Sequence, residues 1–522
     1  MKKEKWMFIL AVVILAAAMI LSSCNGTSDE DNGGNGTPTV PNAPAIQQID
    51  AANRELTIQW GAVSGANTYN LYWNTTGGVT TADNSVTGLL TSYHVHSGLS
   101  MFKTYYYRVT AVNTAGESAL SNEMSALAAG TPEELWKRVA SDTTDEDYFG
   151  VSVAMSGDHI VAGAFGEDDV ATDSGAAYIY ERNFGGHDNW GEVKKLKASD
   201  AQGWDYFGIS VAIDGDYIVV GANREDGAGN TRGAAYIYER NFGGQDNWGE
   251  VKKLTASDAG DTDFFGNSVA IDGDFIVVGA FYEDDAGSDS GAAYIYERNS
   301  GGQDNWGEVK KLTASDAQAD DRFGWSVAIY GDFIIVGAYY EDGGGTDLGA
   351  AYIFNRNSGG QDNWGEVKKL TASDAEDYDW YGSTVAIDGD HIVIGAYREN
   401  STRGAVYIYD RNSGGQDNWG EVKKLIGEDY SNFGFSVALS GDYLAVGANF
   451  EDGSGLRQGA AYIFYRNSGG QDNWGEVMRL TALDAQDEDR YGGSVDIDGD
   501  YVVVGAEQED GLGTDRGAIY IF

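Results

Sequence analysis

The chain has 522 residues and a formal net charge of −47, from 34 Lys and Arg against 81 Asp and Glu. This charge excludes nucleic acid and disfavours anionic lipid surfaces as partners, because their phosphates repel an acidic protein. A hydrophobic content of 42% supports globular folding. With 73 Gly, 32 Tyr and only 4 Pro, the composition predicts an all-β protein of short strands and tight turns.

The N-terminus has the pattern of an export signal. A basic start is followed by an apolar run over residues 6–21 and then by small residues and the single cysteine, Cys24. This pattern resembles the bacterial lipoprotein signal. The resemblance implies that residues 1–23 are a cleaved signal peptide and that Cys24 carries the lipid that holds the protein on a membrane. In Gram-negative lipoproteins an Asp after the Cys favours the inner membrane, so the resemblance implies the outer membrane or cell surface for Asn25; an uncleaved anchor helix is the alternative.

Residues 24–40 and 41–128 form two further segments. The first is rich in Gly, Asn, Thr and Ser and predicts a flexible tether. In the second, Leu56–Trp60 alternates apolar and polar residues, which is typical of a strand. Trp60, and Tyr105 six residues after Leu99, resemble the core tryptophan and tyrosine corner of a fibronectin type III domain. That resemblance implies a β-sandwich, and we predict that it serves as a spacer.

The rest of the chain, residues 133–522, is one repeat that occurs seven times. Its marker is Phe-Gly or Tyr-Gly followed, after one residue, by Ser-Val or Thr-Val, and all seven units carry it. The motif glycines are Gly150, Gly208, Gly266, Gly324, Gly382, Gly434 and Gly492. Their spacing is 58 residues, except for 52 between Gly382 and Gly434. Each unit contains four short strand patterns, which predicts a β-propeller blade.

The two ends of the array complement each other. The last unit ends in its third strand pattern at residues 519–522. An orphan pattern at residues 136–139 resembles a fourth strand and precedes the first unit. We therefore predict a seven-bladed propeller that the N-terminal strand closes, because closure removes exposed sheet edges.

The repeats resemble FG-GAP repeats, the blades of integrin α-subunit heads. The shared residues are Phe149-Gly150, Val277–Ala280 and Gly291–Tyr294. The resemblance implies adhesion. One departure matters: the loop between the first two strands is only Asp272-Gly273-Asp274, too short to surround a calcium ion with 6–8 ligands. The calcium sites of that family therefore do not carry over.

Acidic residues concentrate in two loops of every blade. The loops before the first strand and after the second hold 42 of the 81 acids. One interpretation is a divalent cation site, with calcium as the expected ion. Its candidate ligands are Asp258, Asp261, Asp263, Asp284, Asp285 and Asp289. The other interpretation is a solvated acidic surface that favours solubility.

The hairpin between the third and fourth strands carries a Trp beside Gln, Asp and Asn in nearly identical copies. The six are Trp190, Trp248, Trp306, Trp364, Trp419 and Trp474. These rings could stack on sugars, with avidity from repetition. In the alternative interpretation they pack between blades.

These features predict a lipid-anchored surface protein that binds an extracellular protein or glycan, with no catalytic site. One alternative is a propeller hydrolase that acts on extracellular glycans. Its sign would be one blade with unique polar residues at the ring centre, and residues 398–403 of the fifth blade are the candidate. The other alternative is a structural coat protein that self-associates.

Overall fold

The computed structural model describes residues 38–52, 55–99, 103–128, 136–227, 229–453, 455–511 and 513–522. The predicted signal peptide, Cys24 and most of the predicted tether lie outside these residues. In the described part of the chain, no helix has the length and apolar character needed to cross a membrane. The architecture is all-β, as the composition predicts.

The fibronectin-like unit contains eight strands in two sheets. They are β1 (Ile46–Ala52), β2 (Glu55–Trp60), β3 (Thr68–Asn74), β4 (Asn84–Leu89), β5 (Tyr93–Ser97), β6 (Thr104–Asn113), β7 (Gly116–Glu117) and β8 (Met124–Leu127). One sheet has the order β1-β2-β5, and the other has β4-β3-β6-β7 with β8 on β6. Alternate residues of β2 are buried, including Trp60, whose ring meets Tyr69 edge-on at 5.6 Å between centroids.

The repeats fold into seven four-stranded antiparallel sheets, the blades. Blade 1 contains β10 (Val153–Ser156), β11 (His159–Ala164), β12 (Ala176–Glu181) and β13 (Gly191–Leu196). Blade 2 contains β14 (Phe207–Asp214), β15 (Tyr217–Ala222), β16 (Ala234–Glu239) and β17 (Gly249–Leu254). Blade 3 contains β18 (Val269–Asp272), β19 (Phe275–Ala280), β20 (Ala292–Glu297) and β21 (Gly307–Leu312). Blade 4 contains β22 (Phe323–Tyr330), β23 (Phe333–Ala338), β24 (Ala350–Asn355) and β25 (Gly365–Leu370).

The later blades follow the same order. Blade 5 contains β26 (Thr384–Asp388), β27 (His391–Ala396), a helical turn α1 (Glu399–Thr402), β28 (Ala405–Asp410) and β29 (Gly420–Ile426). Blade 6 contains β30 (Ser436–Ser440), β31 (Tyr443–Ala448), β32 (Ala460–Tyr465) and β33 (Gly475–Leu480). Blade 7 contains β34 (Ser494–Asp498), β35 (Tyr501–Ala506) and β36 (Ala518–Ile521).

Blade 7 takes its fourth strand from the N-terminal side of the array. Strand β9 (Trp136–Arg138) pairs antiparallel with β36, with Lys137 opposite Tyr520. Blade 1 also contacts blade 7 through a parallel bridge between Phe149 and Gly517. The same type of bridge joins five other pairs of neighbouring blades.

The glycines of the repeat allow the blades to approach closely. A Cβ atom on Gly279, in the second strand of blade 3, would lie 1.9 Å from the carbonyl oxygen of Gly324 in blade 4. No side chain fits this approach, so the second-strand glycine and the motif glycine act as a pair. Between the sheets lie buried clusters of Val, Ile, Ala, Tyr and Phe, in which Ile276, Val278 and Tyr294 are fully buried.

Candidate ligand-binding site

One cavity of about 490 Å³ is lined by the first strands of all seven blades. The residue after each motif glycine lies on its wall and differs in every blade. These residues are Val151, Ile209, Asn267, Trp325, Ser383, Phe435 and Gly493. The neighbouring serines or threonines and valines are nearly constant. The wall of the cavity is therefore asymmetric, although the blades that build it are alike.

Three further positions vary from blade to blade. The residue before each motif Phe or Tyr is Tyr148, Tyr206, Phe264, Arg322, Trp380, Asn432 or Arg490. The two residues after each second strand are Phe165-Gly166, Asn223-Arg224, Phe281-Tyr282, Tyr339-Tyr340, Tyr397-Arg398, Asn449-Phe450 or Glu507-Gln508. Together with the seven cavity residues, we call these positions the variable rim.

Aromatic side chains of the variable rim contact one another across blade boundaries. The ring pairs and their centroid distances are Phe165–Tyr206 (4.9 Å), Phe281–Trp325 (4.8 Å), Tyr339–Trp380 (5.5 Å) and Tyr397–Phe435 (5.1 Å). These distances suit edge-to-face and tilted packing. Because Trp325, Tyr397 and Phe435 also line the cavity, this series of rings forms part of its border.

Arginines alternate with these rings. The Arg322 guanidinium lies 5.0 Å from the ring centroid of Tyr282 and 4.1 Å from that of Tyr340. The Arg398 guanidinium lies 3.8 Å from the ring centroid of Trp380. Two further arginines repeat the arrangement: Arg224 over Tyr206 at 4.3 Å and Arg490 over Phe450 at 5.3 Å. Such stacking holds a guanidinium flat while its edge stays available to hydrogen-bond acceptors.

The rim arginines differ from the other arginines in their partners. Twelve arginines elsewhere in the described chain lie within 4.0 Å of a carboxylate. Arg138 donates instead to the backbone carbonyls of Asn189 and Trp190. Among the described residues, only Arg224, Arg322, Arg398 and Arg490 have neither kind of partner. In a chain with 81 acids, four arginines without a carboxylate partner on one rim are a distinct feature.

Two carboxyl groups of blade 7, those of Asp496 and Glu507, occupy positions at which the other six blades have uncharged residues. Asp496 occupies a first-strand position where the other six blades have Ala, and it accepts backbone N–H bonds from Met155 (2.7 Å) and Ile497 (2.9 Å). Burial raises the pKa of Asp496 to about 7, and it raises that of Glu507 to about 7 as well. The two backbone bonds give Asp496 a structural role between the first and last blades.

The acidic loops form a repeated ion cluster rather than an open cation site. In blade 3, the Lys311 ammonium lies 2.7 Å from Asp258, 2.9 Å from Glu283 and 2.6 Å from Asp285. Tyr294 donates its hydroxyl to Asp258 at 2.8 Å. Burial opposes the charge on Lys311, but its hydrogen bonds to the three carboxylates outweigh burial and raise its pKa.

A lysine that contacts two or three carboxylates occupies this position in six blades. The central lysines are Lys195, Lys253, Lys311, Lys369, Lys424 and, through β9, Lys137. The carboxylates of Asp258, Glu283 and Asp285 are close enough together to hold a metal ion, as are those of Asp142, Glu167 and Asp169. In each group, however, a lysine ammonium already contacts all three carboxylates.

The remaining predicted metal ligands lie apart from this cluster. Asp261 accepts from Arg232 Nε at 3.0 Å, and Asp284 accepts from the backbone N–H of Asp289 at 2.8 Å. Asp263 is buried and accepts from the N–H of Gly260 at 2.6 Å, and burial raises its pKa to about 6. The structure thus brings only Asp258 and Asp285 of the six predicted residues to one shared cation, and that cation is Lys311.

Blade 6 departs from the pattern because its preceding loop is shortened. Arg479 replaces the lysine and contacts Glu451, to which Tyr462 donates at 2.6 Å. A cavity of about 450 Å³ opens here, lined by Glu428, Asp429, Glu451, Asp452, Tyr462, Glu476 and Arg479. Asp429 follows Leu425 by four residues, as Asp258 follows Leu254, but it lies 3.6 Å from Arg403 instead of joining the cluster.

The six hairpin tryptophans lie between blades. Each is at most 2% exposed, so none offers a free ring face to a sugar. Trp306, for example, meets Tyr217 of the preceding blade edge-on at 5.4 Å, and Trp364 meets Phe275 in the same way. This geometry supports the packing interpretation and not the ligand role.

The variable rim escaped the sequence interpretation, although its signal was present. The residue before each Phe-Gly or Tyr-Gly motif changes among Tyr, Phe, Arg, Trp and Asn, while flanking positions repeat. The expected sign of a functional site was one deviant blade with unique polar residues at the ring centre. The variation is instead shared by all seven blades, so alignment of the repeats against each other would have revealed it.

The fold and the rim define a class: a repeat protein built of four-stranded blades around a shared cavity. The FG-GAP repeat profile matches residues 134–180, 190–238, 248–296, 306–354, 364–409, 419–464 and 474–522. The chain therefore belongs to the FG-GAP repeat family. A fibronectin type III profile matches residues 41–126, as the sequence predicted.

Further similarities concern short segments. The tail tube protein gp17.1* of Bacillus phage SPP1 is 36% identical over 86 residues, which are 16% of this chain and 30% of the phage protein. The chain thus spans under a third of that relative. A fibronectin III-like protein from Clostridium thermocellum is similar at 26% identity, covering 17% of this chain and 92% of that one, with a TM-score of 0.14.

Proposed function

We propose that this chain is a lipid-anchored bacterial surface protein that binds an extracellular ligand at the variable rim of a closed seven-bladed propeller. The fibronectin type III domain serves as its stalk, and Cys24 as its lipidated residue. Closure is supported by the pairing of β9 with β36 and by the bridge between Phe149 and Gly517.

The observation that carries this proposal is the distribution of sequence variation. The blades share their strands, hairpins and ion clusters, yet four positions per blade differ where the cavity opens. Structural positions stay alike after duplication because each blade meets the same packing demands. Variation along the wall of one concave region is what recognition of an asymmetric ligand requires.

Binding without catalysis fits the chemistry of the rim. None of the five histidines lies on the variable rim or on the described wall of its cavity. His159 and His391 begin the second strands of blades 1 and 5 and are buried against Trp248 and Trp474. The rim offers stacked aromatic rings, guanidinium groups and amides, which are binding groups.

The experiment has two parts. Intact cells that produce the full chain are treated with an external protease, which should digest the chain if it lies on the cell surface. When such cells are fractionated, Cys24→Ala is expected to release the protein from the membrane fraction. Cells that display the chain are then tested for adhesion to immobilised extracellular proteins and polysaccharides. The rim variant Trp325→Ala should lose adhesion, whereas Trp204→Ala, at a side chain 57% exposed outside the rim, should retain it. Cleavage of a polysaccharide by the purified chain would favour the hydrolase instead.

A further inference from the structure

The arginines of the variable rim indicate which class of ligand binds there. This inference rests on the binding function proposed above. A guanidinium on a protein of charge −47 would normally acquire a carboxylate neighbour. Twelve arginines in the described chain do so. Arg322 and Arg398 instead stack on aromatic rings of the variable rim, and neither has a carboxylate within 4.0 Å among the described residues.

Several donors of the rim lack an acceptor. Arg322 donates to the hydroxyl of Tyr339, while its buried Nε has no hydrogen-bond partner among the described residues. The buried Nε of Arg490 is likewise without a described partner. Guanidinium groups bind carboxylates bidentately, in the plane that ring stacking leaves open. The rim therefore has the donor chemistry of an anion site, although the molecule as a whole is strongly acidic.

The rim also has amide groups suited to hydroxyls. Asn223 is 7% exposed and donates through Nδ2 to Asn267 Oδ1 at 3.0 Å, and Asn267 donates to the Trp325 carbonyl at 3.2 Å. The buried Oδ1 of Asn223 has no hydrogen-bond partner within the described chain. Asn267 and Trp325 line the cavity, so this chain of amides leads to its wall. A buried acceptor without a donor is costly unless a ligand supplies one.

From these groups we infer that the variable rim binds a carboxylated saccharide. Aromatic faces stack on the apolar faces of pyranose rings, guanidinium groups take the carboxylates, and the asparagine amides take hydroxyls. The alternation of rings and arginines around the rim corresponds to a uronic acid chain, which carries one carboxylate on each ring. The cavity of about 490 Å³ is large enough for a sugar unit.

The test measures calorimetric binding of the full chain to three classes of probe. These are oligomers of galacturonic, glucuronic and mannuronic acid, neutral maltotriose, and a hexaglutamate peptide. At least one uronic acid oligomer should bind, and maltotriose and hexaglutamate should not bind at the same concentration. Equal binding of maltotriose would show that the carboxylate is not recognised, and equal binding of hexaglutamate would assign the rim to acidic peptides; either result overturns the inference.

Variants locate the site. Arg322→Gln and Arg398→Gln should each weaken oligomer binding about tenfold or more, because each removes a charge-assisted bidentate contact. The matched control is Arg356→Gln, whose guanidinium pairs with Asp362 at 2.5 Å in the outer hairpin, and it should leave the affinity unchanged. Arg398 is exposed, so its variant stays informative if Arg322→Gln fails to fold.

The outcome separates this inference from the proposed function. If no uronic acid oligomer binds while Trp325→Ala still abolishes adhesion of displaying cells, the ligand class is wrong and the binding function stands. If the oligomers bind but Arg322→Gln, Arg398→Gln and Arg356→Gln all bind equally well, the rim is not the site, and the inference fails. If the chain never reaches the cell surface but binds the oligomers at the rim, the surface role fails alone.

Discussion

Cationic side chains have different partners in the repeated framework of the blades and on the variable rim. In the framework, Lys311 contacts three carboxylates, and Arg240 contacts Asp246 at 2.6 Å. On the rim, Arg322 and Arg398 contact aromatic rings and no described carboxylate. The framework therefore satisfies its own ions, and the rim leaves ions available. We infer that the acidity of the chain mainly stabilises the blades, while recognition depends on its few unpaired cations.

This contrast predicts that framework variants change stability and rim variants change binding. The largest stability effect is expected for Trp364→Ala. Trp364 is 1% exposed and packs edge-on against Phe275 of the preceding blade at 5.4 Å. Its truncation leaves a large cavity between blades and should lower the free energy of unfolding by about 3–5 kcal/mol. Chemical denaturation measures the effect.

The control for this variant is Trp204→Ala. Because Trp204 is 57% exposed, we expect a change within about 0.5 kcal/mol. Equal effects of the two variants would contradict the packing role of the hairpin tryptophans. Uronic acid binding by the folded Trp364→Ala protein should match that of the wild type.

The second prediction concerns the centre of an ion cluster. Lys311→Met keeps the length of the side chain but leaves Asp258, Glu283 and Asp285 without their cation. The cost should be about 3 kcal/mol, since Glu283 is buried and Lys311 is mostly so. Lys310→Met, on the same strand but without an ion pair among the described residues, should cost far less. Thermal melting in low salt compares the two.

The effect of calcium on the melting temperature gives a second test of the ion cluster around Lys311. With Lys311 removed, the three carboxylates are free to bind a divalent cation, so calcium should raise the melting temperature of Lys311→Met more than that of the wild type. An equal or larger calcium response of the wild-type chain would support the original metal interpretation of the acidic loops.

The third prediction is a dependence of stability on pH. Burial raises the pKa of Asp205, Asp263, Asp321, Asp379 and Asp489 to about 6, against an ordinary value of 3.8. The folded state therefore binds more protons than the unfolded state between these values. The stability from these groups is full below about pH 4 and is lost as the pH rises through 6.

The variant Asp263→Asn tests whether the buried carboxyl groups cause this dependence of stability on pH. An amide has no ionisation cost on burial, so the variant should be more stable than the wild type at pH 7 by on the order of 1 kcal/mol. Its stability at pH 4 should be nearly unchanged. A variant that loses stability equally at both pH values would show that the carboxylate is needed as an acceptor rather than tolerated as an acid.

The smallest effect on stability is expected for the arginines that pair with an aspartate of the hairpin between the third and fourth strands. Arg240 is about 29% exposed and pairs with Asp246, so Arg240→Gln should cost at most about 1 kcal/mol, and less in 1 M salt. Arg322→Gln should instead leave stability similar while it weakens ligand binding. A large loss of stability for Arg240→Gln would break the distinction between the two sets of arginines.

Much of the fold could be predicted because the repeat displays its strands seven times. The spacing of the motif glycines predicted the seven blades. The orphan pattern at Trp136 predicted the pairing with β36 that the structure contains. The ion clusters were not predicted, because each joins residues that are far apart in the chain, by 53 positions for Asp258 and Lys311 and by 347 for Lys137 and Asp484. Asp258 and Lys311, for example, meet only after four strands have folded.

The rim was missed for a different physical reason. Residues such as Arg322 and Tyr340 lie in turns with no strand periodicity, and their contacts cross from blade to blade. Sequence patterns report which face of an element is buried, but they do not report which turns converge. The acid counts drew attention to the loops, while the informative residues were the few cations among them.

The pairing of β9 with β36 has a consequence for the order of folding. Lys137 leaves the ribosome early, but its partner Tyr520 follows 383 residues later. Until then blade 7 cannot form, and blade 1 lacks one neighbour. The nascent array therefore exposes two unfinished edges throughout synthesis, which is a hazard for misassembly between chains. Only three residues of the early strand take part in this pairing, so few backbone hydrogen bonds hold the two ends of the array together.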